Sequence, residues 1–482
     1  MMNITIVLYD NLNIQFECDD YSFLRALKEH FTDYATGYMF SPKWKAGMWD
    51  GKISVFNWTH KTLPYGLLLE SIRFIKKEYP DAILSVNGNV SSLFKGNTIS
   101  PDYDLKLKPR PYQADCIESA LKYSKGLIVS SVASGKSLLI AYIIKHLLDN
   151  GICKKALIIV PTIQLVSQFY TDLQEYGLTH YGVGRVWAKE KQFDSSIIIS
   201  TWQSISKYPE ILATIDCVVC DEAHMSQARV ISDTLQHCTR AIYRLGFTGT
   251  LSPSKLDTWN VQSYLGPVIR TYGAGELSDL GYVSKCNVEM FSIEYNNEFE
   301  GTYTEIQDAV FNNSYRLGLI ADIVEKADGN VLLLVGKVEK EGMVLRDYLH
   351  NHLSGREVVF IHGATEKDVR EAWRKDMDRR KDIVLIATYQ LLSVGINIPS
   401  LKHLVLAAPF KSKIRVLQSV GRTLRLHADK PEGAYVYDLL DETKHFFESG
   451  TKRMRYYASE RFNVVEHEMK EGQPFLDYPS TT

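Results

Sequence analysis

The chain has 482 residues, enough for about three domains of ordinary size. At 45% hydrophobic and 23% charged residues its composition is that of a folded chain, not a disordered one. Lys plus Arg number 55 against 57 Asp plus Glu, and the net charge of −2 excludes a bulk polycation while leaving room for a locally basic groove.

No apolar run approaches the roughly 20 residues that cross a bilayer, and the N-terminus lacks the basic, apolar, small-residue order of a secretory signal. Seven cysteines at scattered spacing make no disulfide framework, so the expected compartment is a reducing cytoplasm. Cys217 and Cys220 are spaced like half a zinc site, but they stand in the apolar run 215–220 and read as buried strand residues.

The first hundred residues form an expected small α+β domain over 1–98. Strands at 3–9 and 12–18 flank Asp10-Asn11, a hairpin turn, and 23–31 carries helical spacing. A strand at 52–57 and a helix at 66–78 complete it, and the polar stretch 97–108 is a linker. Residues 41–80 hold seven Lys or Arg against three acids. Within that basic patch Lys43, Trp44, Lys45, Trp49 and Lys52 are candidate contacts to phosphates and exposed bases, although Trp44 and Trp49 could equally be this small domain's core.

From 108 to 440, apolar strand-like runs alternate with amphipathic helical stretches, the pattern of parallel α/β sheets. The alternation occurs twice, with strands at 127–129, 156–160, 197–200, 217–220 and 243–247, then at 331–335, 358–361, 383–388, 404–407 and 435–437. Two similar domains follow, 99–275 and 276–482, with a joint near 274–285.

Ser130-Ser131-Val132-Ala133-Ser134-Gly135-Lys136-Ser137 lies between an apolar strand and a helical run, the context of a phosphate-binding loop. Backbone N–H groups of Ala133, Ser134 and Gly135 would cradle phosphates at the helix start. Lys136 would reach the β- and γ-phosphates and Ser137 would ligate Mg²⁺. The usual first glycine of such a loop is Ser130 here. Asp221-Glu222-Ala223-His224 follows a strand directly, where an α/β sheet places a metal-binding carboxylate. Asp221 would hold the metal, directly or through water, and Glu222 would orient and deprotonate the attacking water.

With these motifs the chain, from Arg110 to about Arg425, resembles the superfamily two helicases and translocases. The resemblance implies two tandem RecA-like parallel-sheet domains and the cofactors ATP and Mg²⁺. Arg110, Tyr112 and Gln113 fall in the family's adenine-reading segment. Thr162, Thr201 and Gln203 fall in its strand-contacting motifs, and 247–250 in its hydroxyl motif. Ala387-Thr388 through Gly395-Ile396-Asn397 resembles the fifth motif, making Thr388 and Ser393 candidate nucleic-acid contacts and Gly395 a nucleotide contact. Asn397 stands there in place of a frequent Asp. Gln418-Ser419-Val420-Gly421-Arg422-Thr423-Leu424-Arg425 resembles the sixth, which implies Gln418, Arg422 and Arg425 at the transferring phosphate, where arginine fingers elsewhere contribute ~10³–10⁵ in rate.

Residues 47–52, the segment 63–67 and the ending 455–463 further resemble the tailed-phage recombination helicases. That likeness implies an ATP-dependent DNA helicase acting on forked, branched or R-loop DNA through branch migration, fork regression, R-loop unwinding and annealing. Replication and recombination proteins of phage or host would be its partners. The alternatives are an RNA helicase and the motor subunit of a restriction system. A nuclease centre needs Pro-Asp followed by Glu-x-Lys, and after Pro80-Asp81 no Glu occurs from 82 to 115.

Overall fold

The Asp10 carboxylate accepts the backbone N–H groups of Leu12 and Asn13, each at 2.7 Å, and so turns the chain back on itself in the computed structural model. The structure describes residues 2–225, 228–393, 398–408 and 411–475. On either side of that turn β1 (Asn3–Leu8) and β2 (Asn13–Glu17) pair antiparallel, with Ile6 opposite Phe16. Alternate residues Ile4, Ile6, Ile14 and Phe16 are fully buried, the period of two expected of a sheet with one covered face. β3 (Thr32–Tyr34) and β4 (Lys52–Ser54) form a separate two-stranded ribbon. β5 (Thr62–Pro64) joins β2 and β6 (Ile83–Val86) joins β1, giving the order β5-β2-β1-β6. The helices Tyr21–His30 and Leu68–Glu78 complete the α+β domain; Asp20 caps the first by accepting from the backbone of Ser22 and Phe23.

Eight strands make the first large sheet: β7 (Lys125–Ser130), β8 (Ala156–Val160), β9 (Val183–Trp187), β10 (Glu190–Lys191), β11 (Ile197–Thr201), β12 (Cys217–Cys220), β13 (Tyr243–Thr248) and β14 (Val268–Tyr272). Their order is β10-β9-β11-β8-β12-β13-β7-β14. Strands β8, β11, β12 and β13 are buried along their whole length, because helices cover both faces of a parallel sheet. Cys217 and Cys220 lie in this core, and burial pushes both thiols up.

The α+β domain packs directly on this sheet's helices. Tyr65 donates its hydroxyl to the Tyr264 carbonyl, and Trp259 Nε1 donates to the Glu70 carboxylate at 3.0 Å. A Cβ at Gly66 would run into the Gln262 carbonyl, so the backbones touch only because this residue is glycine. One hydrophobic core extends from Ile4 and Phe16 through Leu127 to Leu265.

The second large sheet contains β15 (Cys286–Glu294), β16 (Val331–Val335), β17 (Glu357–Ile361), β18 (Ile383–Thr388), β19 (His403–Leu406), β20 (Ala434–Asp441) and β21 (Asn463–Lys470). All its pairs are parallel, in the order β17-β18-β16-β19-β20-β15-β21. The two parallel sheets behind a small α+β domain are the architecture expected from the sequence. Of the additional strands, β9, β14, β15 and β21 have apolar residues interrupted by polar ones, and β10 is the charged pair Glu190-Lys191. The chain falls into two compact units, residues 1–130 with 135–271, and residues 131–134 with 272–482.

Candidate nucleotide site and nucleic-acid track

Ser130 ends β7, and the loop after it turns through two left-handed residues, Ala133 (φ 68°) and Gly135 (φ 75°). Ser130 itself needs no positive φ, so a serine in place of the usual glycine carries no backbone penalty. The helix Lys136–Asp149 then begins, with its first N–H groups directed back toward the loop. Lys136 Nζ donates to the Ser130 carbonyl at 3.3 Å, which folds the ammonium over the loop. The Ser137 hydroxyl lies 2.9 Å from that of Tyr176, the last residue of the helix Ile163–Tyr176. Nothing in the sequence pattern singled out Tyr176.

Directly after β12, Asp221 is buried and its Oδ1 has no hydrogen-bond partner among the described residues. Burial, and then the neighbouring Glu222 charge, raise its carboxyl well above the usual range, against the opposing pull of Lys136. Glu222 adopts a left-handed backbone (φ 47°), uncommon for a residue with a side chain. Its Oε2 is 3.4 Å from His224 Nδ1, which in turn lies 2.6 Å from Thr248 Oγ1. Thr248 Oγ1 also lies 3.0 Å from the Thr250 carbonyl, so one hydroxyl bridges the ring and the chain after β13. Burial lowers the His224 pKa, against the opposing pull of Glu222. Glu222 is thereby joined through His224 to the hydroxyl motif at the end of β13.

Gln113 is buried on the helix Pro111–Lys122. Its Oε1 accepts the Arg110 backbone N–H at 2.8 Å. Its Nε2 lies 2.6 Å from where a Cβ on Gly135 would stand, so the amide lies against the phosphate-loop glycine. Tyr112 is buried in the core beside it.

Among the candidate nucleic-acid contacts, Thr162 follows β8 and caps the helix Ile163–Tyr176, accepting the Leu165 N–H at 3.4 Å. Thr201 ends β11 and donates to Ser204 Oγ at 2.9 Å; Gln203 is exposed just beyond it. With the order β11-β8-β12-β13-β7, Thr201, Thr162, Asp221, Thr248 and Ser130 occupy the carboxyl ends of five adjacent strands. Ligands of parallel α/β sheets bind along that edge.

In the second unit Thr388 is buried at the carboxyl end of β18, followed by the helix Tyr389–Ser393. Gln418 stands on the helix Lys413–Gly421, Arg422 is that helix's C-cap and Arg425 follows; all three are partly buried. Below them Arg453 donates to both oxygens of Asp438, at 3.0 and 2.8 Å, and the Tyr457 hydroxyl donates to the same carboxylate at 2.6 Å. Gly395 and Asn397, together with the side chain of Ser393, lie outside the described residues.

In the N-terminal domain neither Trp44 nor Trp49 belongs to the core, which Phe16, Phe23, Phe31, Phe56 and Tyr65 fill instead. Lys43, Trp44 and Lys45 share the short helix Pro42–Lys45 and are exposed. Trp49 Nε1 donates to the Lys52 carbonyl at 2.9 Å, and Lys52 Nζ lies 5.2 Å from the centre of the Tyr34 ring.

A phosphate loop and an acidic pair on one strand edge, with a second parallel sheet in the same chain, are the frame of a superfamily two helicase. Three family models match the chain: DNA helicase UvsW, N-terminal, over residues 3–83; type III restriction enzyme, res subunit, over 106–253; and helicase conserved C-terminal domain over 316–427. The chain is an ATP-dependent helicase of superfamily two. Along nearly its whole length it resembles the ATP-dependent DNA helicase uvsW of Enterobacteria phage T4, at 26% identity over 96% of this chain and 99% of that one. It is also similar to the DNA 3'-5' translocase XPB2 of Sulfurisphaera tokodaii, at 22% identity over 76% of this chain and 89% of that one. The crystal structure of T4 UvsW shares the fold, with a TM-score of 0.50 at 24% identity over 97% of this chain and 100% of that one. So does a fragment of an HsdR subunit of a type I restriction enzyme from Vibrio vulnificus, with a TM-score of 0.59 at 17% identity over 77% of this chain and 70% of that one.

Proposed function

We propose that this protein is a DNA-stimulated ATPase that moves along nucleic acid and remodels branched DNA by branch migration, fork regression, R-loop unwinding and annealing. The observation that carries this is the shared strand edge, where the phosphate loop, the acidic pair, the hydroxyl motif and two strand-contacting motifs occupy five adjacent strand ends.

Asp221 and Ser137 fit a magnesium ion: both are hard oxygen donors, and the buried Asp221 Oδ1 lacks a partner among the described residues. Bound Mg²⁺–ATP supplies the phosphoryl group. Gln113 reads the adenine edge, with Arg110 and Tyr112 beside it; Lys136 and the loop N–H groups hold the phosphates, and Glu222 takes a proton from the attacking water. Arg422 and Arg425, with Gln418, act on the transferring charge during turnover. His224 and Thr248 relay the state of Glu222 along the strand edge toward Thr162, Thr201 and Gln203. Thr388, in the second helicase domain, contacts nucleic acid. Such contacts to sugar and phosphate position the protein without reading sequence. Re-forming as much duplex as is opened leaves little net work, so ATP supplies direction.

The working division is 1–98 for junction binding, 99–275 for ATP binding and 276–482 for the second helicase domain, in the cytoplasm of a host cell. The test is the ATPase rate with single-stranded, duplex, forked and four-way DNA and with RNA. Stimulation by forked or four-way DNA above RNA is expected; an equal rate with every polymer and with none would overturn it.

A further inference from the structure

Residues 35–51 leave the N-terminal domain between β3 and β4 and return to it. Their root is tied down: Ala35 N–H donates to the Gly51 carbonyl at 2.8 Å, and Thr36 Oγ1 donates to Asp257 Oδ2 at 3.0 Å. Asp257 belongs to the helix Lys255–Leu265 of the same compact unit, so the excursion is fixed to the first helicase sheet as well as to its own domain. Inside it Tyr38 stacks on Tyr34 at 4.6 Å and meets Trp44 edge-on at 5.5 Å. Gly51 (φ 85°) passes so close to the Tyr38 ring that a side chain there would collide with it. The segment is a built object.

What it presents to solvent is apolar. Phe40 is 78% exposed, Met48 75% and Met39 52%. No carboxylate occurs from Tyr34 to Trp49, and Lys43 and Lys45 stand between Phe40 and Met48. Exposed apolar groups on a fixed support mark a surface that a partner covers. Protein–protein interface cores are depleted of lysine. Cations beside aromatic and thioether groups, with no acid among them, suit a polyanion that also offers flat apolar faces.

We infer that this excursion is a base-stacking prong: Phe40 and Met48 cover the faces of unpaired bases where two strands part, while Lys43 and Lys45 hold the flanking phosphates. The inference rests on the proposed DNA-remodelling activity and adds to it a contact with unpaired bases.

The test uses the full chain, its Phe40→Ala/Met48→Ala variant and its Lys43→Ala/Lys45→Ala variant. Binding is read by anisotropy of a labelled fork with unpaired arms and of a blunt duplex, at low and high salt. Loss of the apolar pair is expected to weaken fork binding about tenfold at either salt and to leave the blunt duplex unchanged. Loss of the lysines is expected to weaken both and flatten the salt dependence. A 2-aminopurine at the first unpaired position is expected to be quenched by the parent and to regain emission with the apolar-pair variant. Both substituted side chains are exposed, so an unchanged far-ultraviolet dichroism spectrum is the folding control. Fork binding and quenching equal to the parent's would overturn the prong and leave the patch to a protein partner. If the parent ATPase responds to no nucleic acid, the proposed activity fails; if it responds while the variants bind like the parent, only the prong fails.

Discussion

Replacing Glu222 with glutamine separates chemistry from binding. The exchange keeps the shape of the side chain, and Oε2, 3.4 Å from His224 Nδ1, makes no hydrogen bond among the described residues that it would break. It removes one of two adjacent negative charges, and Glu222 is the second-largest cause of the raised Asp221 carboxyl, after burial. The fold should therefore be as stable as the parent's or slightly more so, with Asp221 titrating lower. What the variant loses is the proton acceptor. General-base catalysis contributes typically 10²–10⁴ in rate, which at about 1.4 kcal/mol per decade is about 3–5 kcal/mol of barrier. Single-turnover ATP hydrolysis on forked DNA should fall by that factor, while equilibrium binding of a fluorescent ATP analogue and the thermal midpoint stay at parent values. A variant that hydrolyses near the parent rate refutes Glu222 as the base. A variant that no longer binds nucleotide refutes the separation of roles.

Three further outcomes follow from the geometry. Gly135→Ala forces a side chain into a left-handed residue, with its Cβ 2.6 Å from Gln113 Nε2, and should weaken ATP binding about tenfold in a calorimetric titration without unfolding the chain. Lys125, buried where the N-terminal domain meets the first sheet, donates to the Leu93 carbonyl at 2.6 Å, and burial plus the Arg244 charge lower its pKa to about 8. Between pH 8 and its ordinary 10.5 the folded chain has released a proton that the unfolded chain keeps. Parent stability should thus rise relative to Lys125→Met by up to about 3 kcal/mol across that window, and a constant difference in urea titrations would refute it. Arg453→Met leaves Asp438 buried with its charge uncompensated and should destabilise by about 3–5 kcal/mol, whereas adding Asp438→Leu should restore most of the thermal midpoint.

How much of this was legible in the sequence depended on how each residue obtains its partners. Strands β8, β12, β16 and β18 are buried on both faces and so read as unbroken apolar runs. β15 hid because Asn287, Glu289 and Ser292 interrupt it; Glu289 meets His467 Nε2 of the neighbouring β21 at 2.6 Å. β21 is mostly exposed, and Glu466, His467 and Glu468 interrupt its apolar residues, so no run marks it. The phosphate loop and acidic pair were visible because their chemistry needs fixed residue types at fixed spacing after a strand. The Tyr176 contact to Ser137, the His224 link to Thr248 and the Arg453–Asp438 pair were not, because each joins residues that only the folded chain brings together. Trp44 and Trp49 were ambiguous for the converse reason: an indole in sequence looks alike in a core and on an exposed prong.

The central claim is that nucleotide turnover at the Lys136 loop drives movement on branched nucleic acid. Its most direct measurement is the conversion of a labelled four-way DNA junction to duplex products by the parent, by Lys136→Ala and by Arg422→Ala, with ATP and with a non-hydrolysable analogue. Conversion by the parent with ATP alone, and by neither variant although both still bind the junction, is the predicted result. Conversion that proceeds with the analogue, or with Lys136→Ala, would contradict it.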